Sequence, residues 1–316
     1  MSRLPPADKL PLALRKNVRD KWEEKKPDFE KKISDALGTA WTIDINPLVL
    51  FPYATSSYGK ENLGQLIQSY ANSGWAQLQG FARQYGADGL ADLNTAASEH
   101  VISMDVDDSA TPVKYCGCTI RNGQLVILFN PTQLGVADSE ALSAASVLKA
   151  LNEVPQAEGA APELSFSAKS SVRQKYEPKI ANVQAKIAEQ LGKPADAITL
   201  VPNFEALYAA LLAESKRPGN KLYKKWEDQI GPFVLGYFES VQSHLTQKKF
   251  ATDDMLQEGF NEAVDKSTIE LRLVDKLKYA KYCEVVVEDG KLYVQTTLEQ
   301  YGNAIVDAAS KIVDQL

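Results

Sequence analysis

The chain contains the tripeptide Lys-Tyr-Cys twice, and its side chains include groups that can take part in catalysis. Lys114-Tyr115-Cys116 returns as Lys281-Tyr282-Cys283, 167 residues later. A cysteine can act as a nucleophile and a lysine can form a Schiff base, but cysteine chemistry needs a nearby base. The strand pattern instead sets Cys116 beside Phe129 on an apolar face. The sequence therefore predicts buried, structural thiols at both positions.

Other polar groups give weaker signals. Cys116-Gly117-Cys118 has two thiols, but a transition-metal site needs more donors, and Val285 replaces Cys118 in the second copy. The acidic run at residues 105–108 lacks the glycine and glutamate of a calcium loop. The chain has only two histidines. We expect no metal and no cofactor.

Composition limits the class of protein. The 316 residues include 35 Lys and Arg against 41 Asp and Glu, a formal charge of −6, and 44% are hydrophobic. These values indicate a folded globular chain and argue against nucleic acid as the main partner. No apolar run approaches the ~20 residues that span a bilayer. The N-terminus lacks a secretory signal, and three cysteines cannot form a disulfide framework, so we expect a cytoplasmic protein.

An internal repeat is the most informative feature of the sequence. With a shift of 167, residues 64–141 match residues 231–308 at 17 of 78 positions without a gap. Upstream, Val18 to Trp22 matches Val172 to Tyr176 with a shift of 154. We predict two related α+β halves, residues 11–151 and 172–316, in a pseudo-two-fold arrangement. A linker rich in Ala, Glu, Pro and Ser, residues 152–171, joins them.

Each half is predicted to contain several helices, a three-stranded antiparallel meander and a C-terminal helix. Asn122-Gly123 and Asp289-Gly290 favour tight type I′ hairpin turns, since both central residues need positive φ. A two-residue turn pairs Arg121 with Gln124 and Glu288 with Lys291. The closing helices are predicted over residues 136–151 and 303–316.

The two halves differ on the outer sheet face. In the first half Tyr115, Val126 and Leu128 make this face apolar, while the second half has Tyr282, Tyr293 and Gln295 there. An exposed apolar face is costly, at about 25 cal/mol per Å², so protein or a ligand must cover it. The first half also has an apolar loop, residues 48–53, and several aromatic residues without counterparts.

We therefore predict a non-enzymatic protein that binds a small apolar or aromatic ligand in the first half or at the junction of the halves. The candidate ligand-binding residues are His100, Trp75, Phe51, Tyr53, Tyr115, Val126 and Leu128. One alternative is a cofactor-free isomerase, cyclase or hydrolase that uses Tyr115, Lys114, Asp105 or His100. Another is a structural or interaction protein without a pocket. A homo-oligomer is compatible with each.

Overall fold

The protein combines helices with two mixed four-stranded sheets, as expected for the α+β class. The structure is a computed structural model that describes residues 3–155 and 163–316. It divides into two compact units, Met1–Pro155 and Gln156–Leu316. Each unit is described by itself below.

The first unit begins with helices and ends with a hairpin and a short helix. Its helices are α1 (Leu12–Val18), α2 (Lys26–Leu37), α3 (Pro47–Leu50), α4 (Ser57–Glu61), α5 (Leu63–Ala96, with a break at Gly86) and α6 (Ala144–Asn152), and its strands are β1 (Thr42–Asp44), β2 (Val101–Val106), β3 (Cys116–Arg121) and β4 (Gln124–Phe129). A π-helical turn, Arg19–Glu23, precedes α2, so Pro27 lies in the first turn of a new helix, where proline is tolerated.

The second unit, over its described residues, has a similar order of elements but no helices in the places of α4 and α6. Its helices are α7 (Phe166–Ser171), α8 (Glu177–Gln190), α9 (Phe204–Ser215), α10 (Trp226–Gln247) and α11 (Asp254–Ala263), and its strands are β5 (Thr199–Val201), β6 (Thr268–Leu273), β7 (Cys283–Glu288) and β8 (Lys291–Thr296). A π-helical turn, Val172–Tyr176, separates α7 from α8. Short 3₁₀ turns complete both units, at Phe51–Tyr53, Asp138–Glu140, Phe250–Thr252, Leu298–Gln300, Ile305–Asp307 and Ile312–Gln315.

The predicted antiparallel meander is wrong. The strand orders are β1-β2-β4-β3 and β5-β6-β8-β7, and β2 pairs with β4, and β6 with β8, in parallel. The reason is the apolar character of β4, whose sequence QLVILF suits a strand buried between two neighbours better than an edge strand. The short segments before α3 and α9 add a fourth, parallel strand to each sheet.

The hairpin registers are as predicted. Arg121 pairs with Gln124 and Cys116 with Phe129, while Glu288 pairs with Lys291 in the second unit. The glycines of the two turns have nearly equal φ values, 71° at Gly123 and 72° at Gly290. The turn dipeptides therefore fix the register in both hairpins.

The predicted C-terminal helices are only partly correct. In the first unit α6 is shorter than predicted, and Ser143 caps it by accepting the N–H of Ser146. In the second unit residues 303–316 form 3₁₀ turns instead. This segment contains the β-branched pairs Ile305-Val306 and Ile312-Val313, which disfavour a regular α-helix.

The linker prediction fails at its C-terminal end. Residues 166–171 form α7, with Phe166 and Ala168 buried, and Ser165 accepts the N–H of Ala168 as a helix cap. The middle of the predicted linker, residues 156–162, lies outside the described residues.

Long central helices organise the two cores. In the first unit α5 packs against α1, α2 and α6, and in the second unit α10 packs against α7 and α8. Each long helix approaches the preceding chain closely near its start. The N–H of Gly64 donates to Asn17 Oδ1 at 2.8 Å, and the N–H of Gly231 donates to Ser171 Oγ at 3.1 Å.

Further tertiary contacts within the first unit have equivalents within the second. Tyr70 Oη accepts the N–H of Gly135 at 3.1 Å, and Tyr237 Oη accepts the N–H of Gly302 at 3.1 Å. The thiol of Cys116 donates to the carbonyl oxygen of Ala137, and the thiol of Cys283 donates to that of Ala304. All of these residues correspond under the shift of 167. The two sequences therefore make the same contacts at matched positions.

We expect Gly64→Ala and Gly231→Ala to destabilise the protein, each by roughly 1–3 kcal/mol. An added Cβ would lie 2.5 Å from the carbonyl oxygen of Asn17, or 2.3 Å from that of Ser171, and neither backbone can move aside easily. Gly80→Ala is the control, because its Cβ would meet nothing within 4 Å and alanine favours a helix. Denaturant unfolding measures the change, and a Gly64→Ala protein as stable as the Gly80→Ala protein would contradict the close approach.

Candidate functional site

The apolar outer face of the first sheet is largely covered by protein. Val126 is 5% exposed and lies between Ser103 and Thr119 of the neighbouring strands. Leu128 is half-buried and pairs with Gly117. A Cβ at Gly117 would lie 3.3 Å from the side chain of Val113, so the connection before β3 packs over the sheet here.

The apolar loop of the first half is part of the core. Tyr53 is 3% exposed, its ring makes an edge contact with Phe129 at 5.4 Å, and its hydroxyl accepts the N–H of Leu4 at 2.8 Å. Phe51 precedes it in the same 3₁₀ turn and is half-buried. These contacts make Tyr53 a side chain that fills space within its own unit.

The remaining predicted rings pack on three different neighbours. His100 lies 5.5 Å from the ring of Trp41. The ammonium group of Lys32 lies 4.9 Å from the ring of Trp75. The ring of Tyr115 lies 4.8 Å from the ammonium group of its neighbour Lys114. These contacts do not gather the seven predicted residues around one shared space.

The residues of the alternative enzyme prediction have separate surroundings. His100 and Asp105 are five residues apart in extended chain, a separation on the order of 16 Å. Asp105 forms ion pairs with Arg3 and Arg121. Lys114 is exposed.

The three thiols are buried and unreactive in character. Cys116, Cys118 and Cys283 are 5–7% exposed and form no disulfide. Burial raises the pKa of Cys116 and Cys283 to about 11 and that of Cys118 to about 12. A nucleophilic cysteine needs a depressed pKa, so these residues act as core side chains.

The outer face of the second sheet carries a polar network instead. The carboxylate of Glu284 accepts the backbone N–H groups of Lys278, Tyr279 and Ala280 at 2.7–2.9 Å, and the side-chain amide of Gln295 at 2.7 Å. Burial alone would raise the pKa of Glu284, but these donors stabilise the carboxylate and the net pKa lies below its ordinary value. Glu284 thus holds the connection between β6 and β7 over the sheet.

Arg272 belongs to the same network. Its guanidinium donates to Gln295 Oε1 at 2.9 and 2.7 Å and to Glu288 at 2.7 Å, and it stacks 3.8 Å from the centre of the Tyr293 ring. Glu288 also accepts from Lys278. These contacts fix the guanidinium plane at the end of β6.

An open groove lies beside this end of β6, and we call it the α9–β6 groove. Its volume is about 230 Å³. The lining residues come from α9, with the asparagine before it, and from the last three residues of β6: Asn203, Ala206, Leu207, Ala210, Leu271, Arg272 and Leu273. Five of the seven side chains are apolar and Arg272 is the charged one, a composition typical of a small-molecule site.

Sequence reasoning missed this groove because most of its lining residues are small or aliphatic. The side-chain amide of Asn203 donates to Glu270 at 3.0 Å and to the carbonyl oxygen of Leu271 at 2.9 Å, which joins the start of α9 to β6. The signal available in the sequence was an alanine-rich segment of the second half, which stands at the positions that correspond to the apolar loop of the first half.

Two further pockets are described, both in the second unit. One, of about 300 Å³, is lined mainly by polar residues of the segments 214–222 and 298–299. Arg217 forms an ion pair with Glu214 there, and Lys221 forms one with Glu299. The other, beside Cys283, has a volume of only about 30 Å³.

Searches for metal sites and membrane spans add no site. Among residues 3–155 and 163–316, no three His, Cys, Asp or Glu residues lie close enough to hold a metal ion. Within the same part of the chain, no helix is both long and apolar enough to cross a membrane.

Comparison with models of known families, with curated proteins and with solved structures finds no matching protein.

We expect the native thiols to resist modification. At pH 8 a thiol with a pKa of about 11 is ionised about one time in a thousand, and burial also blocks access. Ellman's reagent should titrate no cysteine within minutes in the folded protein and three after unfolding. Ala213→Cys places a thiol at an exposed position and should react rapidly as a control. Rapid reaction of the unaltered protein would contradict the core assignment.

We also expect Glu284 to link stability to pH. Since its folded pKa is lowered, its stabilisation is present above the ordinary glutamate pKa of about 4.3 and is lost as pH falls through the folded pKa. Glu284→Gln should cost about 2 kcal/mol at pH 7, because the amide sets its own N–H groups against backbone donors. The free energy of unfolding, measured from pH 7 to pH 3, should fall less steeply with decreasing pH for this variant than for the unaltered protein. The exposed Glu239→Gln is the control, and equal pH profiles for both variants would refute the role of Glu284.

Proposed function

We propose that this protein is a non-enzymatic binding protein built from two related halves, and that its second half binds a small apolar or aromatic ligand in the α9–β6 groove. The observation that carries this proposal is the groove itself. Five apolar side chains line it, while Asn203 and Arg272 supply polar groups at its edge. Such a site can orient a ligand but holds no group poised for proton or group transfer.

Matched geometry in the two units supports an internal duplication. Both sheets have the same strand order and the same hairpin register. The hydroxyls of Tyr70 and Tyr237 accept equivalent glycine N–H groups at the same distance of 3.1 Å. Sequence identity of about one fifth is weak evidence alone, but chance similarity would not conserve the partners of each contact.

We assign the ligand to the second half for a physical reason. In the first half large side chains such as Tyr53 and Phe129 pack against one another. Three pockets, the α9–β6 groove among them, are lined by residues of the second unit. Binding in the first half or at the junction stays a prediction, as do the cytoplasmic location and a homo-oligomer.

The proposal is tested with a panel of small apolar and aromatic compounds, including indole, naphthalene derivatives and cyclohexanols. We expect at least one compound to shift the backbone amide resonances of residues 204–215 and 268–273 in a saturable manner. Leu273→Asp places a charge in the lining and should abolish these shifts, whereas Leu222→Asp, outside this groove, should not. Shifts confined to other residues, or none at all, would refute the α9–β6 groove as the binding site.

A further inference from the structure

The strand register relates residues of the first unit to residues that line the α9–β6 groove. Thr42 of β1 pairs with Val101, and Thr199 of β5 pairs with Thr268, which is the counterpart of Val101. Thr42 therefore corresponds to Thr199, a shift of 157.

The same shift extends into the next helix. It relates Asn46, which caps α3, to Asn203, which precedes α9. It also relates Leu50 to Leu207, and both leucines are buried. The residue three positions further on is Tyr53 in the first unit and Ala210 in the second.

The ring of Tyr53 is almost completely buried. It is 3% exposed and contacts the ring of Phe129 at 5.4 Å with the planes at 74°. Its hydroxyl accepts the N–H of Leu4. The first unit therefore encloses a phenol in an aromatic contact, with a hydrogen-bond donor at the oxygen.

The second unit lacks both rings of this contact. Ala210 stands in place of Tyr53 and lines the groove, and Thr296 stands in place of Phe129. Thr296 is fully buried and its hydroxyl donates to the carbonyl oxygen of Tyr282. By this numbering, Ala210, beside the open volume of the groove, corresponds to Tyr53.

A donor is also present at the edge of the groove. Arg272 takes the strand position of Asp105, and its guanidinium is held by Gln295, Glu288 and the ring of Tyr293. A guanidinium has five N–H donors, more than these contacts use. It can therefore donate to an oxygen on a bound ring.

We propose that the α9–β6 groove binds a small phenol with a substituent para to the hydroxyl, a compound shaped like the side chain of tyrosine. This inference rests on the proposed function and specifies its ligand class. An apolar cavity left by a missing side chain can bind the corresponding small aromatic molecule. The ring would contact Ala206, Ala210 and Leu273, and its hydroxyl would face Arg272.

The test uses p-cresol, which is the tyrosine side chain as a free molecule, with the full-length protein. We expect saturable shifts of the resonances of residues 204–215 and 268–273, with a dissociation constant on the order of 1 mM or tighter. The saturated analogue 4-methylcyclohexanol should bind at least about tenfold more weakly, because it lacks a flat ring.

Matched variants locate the binding. Ala210→Tyr restores the residue of the first unit and should weaken p-cresol binding at least about tenfold. Ala213→Tyr makes the same change on the exposed side of α9 and should leave binding unaltered. Ala210→Phe provides a second filling variant, and unfolding curves verify that each variant is folded.

The outcomes separate the two proposals. Equal p-cresol binding to the unaltered and Ala210→Tyr proteins would overturn the phenol inference, and so would a preference for 4-methylcyclohexanol. If other panel compounds still shift the groove resonances, the proposed function stands without the phenol class. If no compound shifts them, both fail.

Discussion

The parallel pairing of the central strands is the constraint on which the rest of each unit depends. β4 and β8 have hydrogen-bonded neighbours on both edges, so the hairpin must dock through its second strand onto β2 or β6. The connection from β2 to β3 then has to cross the end of the sheet. Polar groups must satisfy the backbone of that crossing segment. The loop conformations and the covered sheet faces follow from this requirement.

The two units satisfy that requirement with different residues. Asp107 accepts the N–H groups of Ser109 and Val113 in the first unit, so the carboxylate lies within the crossing segment itself. In the second unit Glu284 reaches up from β7 and accepts three N–H groups. Gly117 stands at the matching position of β3, and the space above it is occupied by Val113. At this strand position the first unit therefore has a glycine with an apolar side chain above it, and the second unit has a carboxylate that binds the backbone of the crossing segment.

The two units also differ in a charged contact and in an aromatic contact at matched positions. Asp105 and Arg121 form an ion pair in the first unit, and at the same positions Arg272 and Glu288 form one with exchanged charges. Trp41 donates its indole N–H to Asn94 at 2.9 Å. Its counterpart in the second unit is Ile198, and the side-chain oxygen of Asn261 is left buried without a partner among the described residues. An unpaired buried acceptor costs about 1–3 kcal/mol, a cost that the pair of Trp41 and Asn94 avoids in the first unit.

Local signals in the sequence predicted the elements better than the site. Asn122-Gly123 and Asp289-Gly290 determine a hairpin by their own backbone preferences, so the registers could be predicted. Parallel pairing of β2 with β4 could not be predicted, because alternation within a strand carries no information about its neighbours. The groove could not be predicted either, since it depends on the absence of a ring at Ala210.

The two halves differ in how large side chains are distributed in their interiors. Large side chains without counterparts, such as Tyr53 and Phe129, fill the interior and leave less room for a ligand. In the second unit Ala210 lines an open groove, and Thr296, at the position of Phe129, is fully buried. A ligand that binds only the folded state stabilises it by RT ln(1 + [L]/Kd), about 2.7 kcal/mol at a hundredfold excess over Kd. Binding beside Ala210 would therefore also stabilise the folded second unit.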